Sequence, residues 1–104
     1  MATVQMPKTV RVGAHTYTIL RKTKAAMNGD LGGCDPNTLQ ISVQKRLRKS
    51  VAQETLIHEI SHACNCPTFM GKEQVTEEEI VNASSPVWLQ VIQGNPDLIE
   101  YLTQ

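Results

Sequence analysis

Five consecutive residues carry the chemistry that this sequence offers: His58-Glu59-Ile60-Ser61-His62, a match to H-E-x-x-H. On a helix, residues four apart lie about 40° apart around the axis and one turn apart along it. Both imidazoles can then reach a single Zn²⁺ at about 2.0–2.1 Å. The Glu between them projects to one side of the pair, where it can hold a water. Zinc lowers the pKa of such a water toward ~7, and the carboxylate takes its proton as the oxygen attacks a carbonyl. The expected roles are metal binding for His58 and His62 and general base for Glu59.

Two histidines leave a catalytic zinc one protein ligand short. Cys64 falls about 200° around the helix from His62 and reads as a small buried residue. Cys66 lies beyond the expected helix end, where it would suit a closed structural site. His15 belongs to a strand. The remaining candidates are Glu77, Glu78 and Glu79 at the start of a later helix, where acids also favour the helix dipole. Glu79 is engaged by a capping box. Glu78 has Asn82 one turn on, an amide able to orient a ligand. Glu77 shares a face with Ile80, Val81, Ser84 and Trp88. Glu78 is the preferred third ligand and Glu77 the alternative; spacing leaves the choice open.

The elements that position these groups follow from pattern. Thr9 to Lys22 is rich in β-branched residues around Gly13-Ala14 and predicts a β-hairpin. Residues 24–38, with three glycines and a proline, read as loop. Thr38 to Val43 alternates apolar and polar side chains, as a strand with one wet face does. Ser50 and Gln53 form a capping box for a helix over about Val51–Cys64, which Pro67 should stop. Ala52, Leu56, Ile60 and Ala63 share its apolar face, widened by Ile57 and Cys64, with Glu54 and Ser61 in a narrow polar stripe. Thr76 with Glu79, and Val75 with Ile80, mark a second helix start, and Pro86 is expected to kink or split that helix. Gly94-Asn95-Pro96 is a stop, and Asp97 to Thr103 a short closing helix. Strands first and helices second make an α+β domain with a small antiparallel sheet, a hairpin plus an edge strand.

His58 to Ala63, preceded by Leu56-Ile57, resembles the active-site helix of the zincin metallopeptidases. Glu78-x-x-x-Asn82 is similar to the Glu-x-x-x-Asp/Asn element of the gluzincin branch. The layout over roughly residues 9–102 resembles the minimal zincin domains of bacteriophages and mobile elements and the ImmA-like and SprT-like peptidase domains. The resemblance implies Zn²⁺ held by His58, His62 and Glu78, with Glu59 as general base, and a peptide or protein substrate. It also implies that Thr38–Val43, the last strand before the active-site helix, lines the cleft and pairs with substrate. The Tyr or His with which gluzincins stabilise the oxyanion has no recognisable context here; Tyr17, Tyr101 and His15 are the options. A second reading from a different class is a zincin-fold protein-interaction module whose zinc is structural.

Composition bounds these readings. The 104 residues, 40% hydrophobic and 19% charged, suffice for one domain. No apolar run approaches the ~20 residues of a membrane span. MATVQMPKTV lacks a secretory signal, and three cysteines make no disulfide framework, so a reducing cytoplasm is expected, a host's if the chain is phage-encoded. Residues 1–50 carry a net charge of +7 and residues 51–104 one of −7. Mutual attraction of the halves is the expected reason for this split, with a nucleic-acid contact of the basic half the alternative. Nucleic-acid contact through Lys45, Arg46, Arg48 and Lys49 has no base-stacking aromatics to support it.

Overall fold

In the computed structural model, residues 4–69 and 71–104 are described, 66–69 by their backbone alone. The order of elements is β1 (Thr9–Val12), β2 (His15–Lys22), β3 (Gly32–Asp35), β4 (Gln40–Gln44), α1 (Lys49–Phe69), α2 (Glu77–Gly94) and α3 (Pro96–Leu102). The α+β class and the succession of strands and helices follow the sequence reading. The sheet differs from it in three ways.

Its strand order is β1-β2-β4-β3. β1 and β2 form the expected antiparallel hairpin, with Val12 opposite His15 and Gly13 at φ +61° in the turn. That φ lies in the left-handed region that glycine occupies without steric cost. β4 runs parallel to β2, with Ile19 opposite Ile41, and antiparallel to β3, with Cys34 opposite Ile41. The sheet is therefore mixed rather than antiparallel, and β4 is interior rather than an edge. Paired on both sides, β4 has no free main-chain groups for a peptide, which overturns the expectation that Thr38–Val43 binds substrate. The cause is β3, four residues of the glycine-rich segment read as loop. Its sequence, Gly-Gly-Cys-Asp, has almost no β-propensity, and its pairing with β4 is a tertiary effect that local pattern does not encode.

One face of the sheet packs on the helices. Val10 and Val12 from β1, Tyr17 and Ile19 from β2, and Ile41 and Val43 from β4 meet Leu56, Ile60, Ala63 and Cys64 from α1. Val91 of α2 and Leu98 and Tyr101 of α3 complete the core. The apolar face expected of α1 is the buried one: Leu56 and Ile60 are 0% exposed, and Ala52, Ala63 and Cys64 are buried beside them.

Helix ends depart from expectation in detail. α1 starts at Lys49, with the Ala52 N–H donating to the Arg48 carbonyl, so Ser50 lies inside the helix rather than capping it. The Gln53 amide, expected in that cap, donates to the Tyr101 carbonyl at 3.0 Å and ties α1 to α3. α1 also continues through Pro67 to Phe69; a proline this near the end forfeits one backbone bond without stopping the helix. Thr76 caps α2 as expected, its Oγ1 accepting from the Glu79 N–H at 3.1 Å. The Glu79 carboxylate accepts instead from Lys72 Nζ at 2.7 Å. α2 passes through Pro86 as one helix.

α2 and the turn after it cover the outer edge of β1. The Gly13 N–H donates to Gln90 Oε1 at 2.7 Å, and the Arg11 N–H to Asn95 Oδ1 at 2.9 Å. Asn95 Nδ2 returns a bond to the Arg11 carbonyl at 2.9 Å. Side-chain amides thus satisfy backbone groups that an edge strand otherwise offers to other chains. At the other end of the strand order, β3 is the outermost strand of the sheet.

Candidate metal centre

α1 buries one face in the core and turns His58 and His62 outward beside it; both are exposed. Their Nε2 atoms are 3.2 Å apart, and the rings meet edge to face at 74°. Two nitrogens bound tetrahedrally to one ion at 2.0–2.1 Å lie about 3.3 Å from each other. The pair therefore has the separation that a shared zinc requires. A Glu59 oxygen joins them, and the donor atoms of all three residues lie within 4.8 Å of one another. Among the described residues this is the one such group. Imidazole nitrogen with a carboxylate close by is a donor set that suits zinc.

Glu59 differs from its neighbours in being 6% exposed. A quarter turn from His58, it points toward β3, where Gly32 makes room. A Cβ on Gly32 would lie 2.8 Å from Glu59 Oε2 and 2.7 Å from Thr55 Cγ2, closer than real side chains approach. Burial pushes the Glu59 carboxyl above its ordinary value, His58 and His62 pull it back down, and Asp30 raises it further. A carboxylate with raised affinity for protons is a stronger base. Gly32→Ala is accordingly expected to displace the Glu59 carboxylate or push β3 from α1, at about 1–3 kcal/mol of stability. Hydrolysis should fall further than zinc affinity does. Denaturant titration, zinc titration and peptide assay of that variant check this.

A cavity of about 350 Å³ opens beside the group, between Asp30, Leu31 and Gly32 on one side and Val51, Glu54 and Thr55 of α1 on the other, with His58 and Glu59 in its lining. Gln44 fixes the first wall. Its N–H donates to the Leu31 carbonyl at 2.8 Å and its Nε2 to the Asp30 carbonyl at 3.0 Å.

The other sequence candidates lie elsewhere. Glu78 and Glu77 occupy the exposed first turn of α2, outside the 4.8 Å group, and Asn82 is exposed as well. Cys64 is 4% exposed in the core, as expected, and burial pushes its thiol up to about 11, which keeps it protonated. The Cys66 side chain lies outside the described residues. Of the three oxyanion options, Tyr17 and Tyr101 are core residues, 3% and 6% exposed, and His15 starts β2 in the hairpin.

What the sequence reading missed is the strand-side wall, Asp30 to Gly32. The signal was available in Gly32-Gly33, since glycine within a strand often marks a close backbone approach. Compared with models of protein families, with curated proteins and with solved structures, the chain has no match.

Proposed function

We propose that the chain is a minimal zincin-like, gluzincin-type metallopeptidase that hydrolyses peptide bonds with Zn²⁺. The observation carrying this reading is the pair of Nε2 atoms 3.2 Å apart with a buried carboxylate in the same group.

His58 and His62 hold the metal, and Glu78 is the proposed third ligand, with Glu77 the alternative. Either glutamate reaches the pair only if the first turn of α2 brings its exposed side chain across. When bound, zinc acts as a Lewis acid that lowers the pKa of water and polarises a carbonyl. Glu59 takes a proton from the water attacking the carbonyl carbon and delivers it to the nitrogen as the C–N bond breaks. Its burial supports that role, because a base of raised pKa hands the proton on less wastefully near neutral pH. In this reading an extended peptide lies alongside β3, the outermost strand next to His58 and Glu59.

The experiment is removal and return of metal. Chelator-treated protein should not hydrolyse a mixed peptide library, and one equivalent of zinc should restore cleavage. Equal cleavage before and after chelation, or none with zinc, would reject the reading. The second reading, a zinc-binding protein-interaction module without turnover, is favoured by exposed apolar residues on α2: Val81, Leu89 and Ile92 are each about half exposed. It predicts zinc binding with no cleavage.

A further inference from the structure

The cavity beside the His-Glu-His group holds two acidic side chains that the peptidase reading does not use. Asp30 and Glu54 line it with Leu31 and Val51. Neither carboxylate is in an ion pair among the described residues, where the ion pair present is Lys72 with Glu79. Glu59, nine-tenths buried, also faces this space, and no hydrogen bond holds its carboxylate among the described residues. No Lys or Arg is among the residues that line the cavity, so Asp30 and Glu54 face it without a basic side chain of the lining to pair with. A long side chain with a cationic end and an aliphatic stem would match both the carboxylates and the apolar walls.

We propose that this cavity selects peptide substrates with a lysine or arginine next to the cleaved bond. The inference rests on the peptidase reading and deepens it by naming a substrate class. A second metal ion fits less well. Asp30 and Glu54 are not among the donors that converge within 4.8 Å, so they do not enclose a compact ion. An ammonium or guanidinium group has several N–H donors and can reach carboxylates that are separated from each other. About 350 Å³ is at the small end for ligand pockets, which suits one side chain rather than a whole small molecule. The Asp30 wall is held in place by both bonds from Gln44, so little ordering cost is added on binding.

The test uses the full chain, zinc-loaded, with a random-sequence peptide library read by mass spectrometry. Lys and Arg should be enriched over Asp and Glu by about ten-fold or more at one position flanking the cut, the scale of a hydrogen bond to a charged group. The enrichment should collapse in Asp30→Asn/Glu54→Gln and reverse toward acidic residues in Asp30→Lys/Glu54→Lys. High salt should weaken it, since the carboxylates are exposed. A flat profile in the wild type, or the same enrichment in Asp30→Asn/Glu54→Gln, would overturn the proposal. A binding readout separates this from the peptidase reading. Immobilised zinc-loaded Glu59→Gln protein should retain basic peptides from the same library, and lose that bias when Asp30→Asn/Glu54→Gln is added. Basic retention without wild-type cleavage would uphold the pocket and reject the peptidase. Cleavage without basic preference would do the opposite, and unbiased or absent retention counts against the pocket.

Discussion

Glu59→Gln is expected to lower peptide hydrolysis by about 10²–10⁴-fold while leaving zinc binding near one ion per chain. The side chain keeps its shape and its place against Gly32, so the packing of β3 on α1 is preserved. What goes is the group that accepts the proton. The same substitution should raise the stability of the metal-free protein at neutral pH. Burial raises the pKa of Glu59 above its ordinary 4.5, so the folded chain binds this proton more tightly than the unfolded chain. The stability this confers is complete below pH 4.5 and is lost as pH rises through the higher, folded-state value. Above that value an ionised carboxylate stays buried, at a cost that the neutral amide does not carry. Thermal melts of metal-free wild type and variant should therefore diverge at pH 7 and converge near pH 4. A variant with wild-type cleavage would remove Glu59 from the mechanism, and one less stable at pH 7 would contradict the burial argument.

His58→Ala and His62→Ala are expected to abolish both zinc binding and hydrolysis, with little effect on the metal-free fold. Both rings are exposed and lie outside the core, and surface substitutions of this kind usually change stability by no more than about 0.5 kcal/mol. Zinc at 1,000 times its dissociation constant stabilises the chain it binds by about 4 kcal/mol. For a domain of this size that corresponds to a rise in Tm of roughly 15–30 °C, which wild type should show and each variant should lack. Glu78→Ala and Glu77→Ala extend the series. The one that weakens zinc binding while leaving the metal-free melt unchanged is the third ligand. Equal affinity in both would exclude α2 as its source.

Much of this arrangement was legible in the sequence because the physics involved is local. The H-E-x-x-H spacing places two rings one turn apart on any helix. The apolar positions of α1 say which way they face, and Leu56 and Ile60 are indeed fully buried while the histidines are exposed. Thr76 and Glu79 marked the start of α2 through a side-chain bond three residues long. Where pairing is decided between distant segments, local signals failed. β3 is made of residues that favour turns, and both its pairing with β4 and the close approach of Thr55 and Glu59 to Gly32 are set by distant segments. That one omission turned an interior strand into an apparent edge and hid the Asp30–Gly32 wall of the cavity. The prolines show a second limit. Pro67 and Pro86 both lie within helices, although each removes a backbone N–H donor. The amides of Gln53, Gln90 and Asn95 bridge elements 48 to 84 residues apart, and no spacing rule anticipates such partners.

The most direct measurement is the zinc content of the purified chain after dialysis against excess zinc and removal of free ion, compared with His58→Ala/His62→Ala treated identically. The structure leads us to expect one zinc per wild-type chain and none above background in the double variant. A wild-type chain that retains no metal, or a double variant that retains as much, would contradict the two imidazoles of α1 as a metal site.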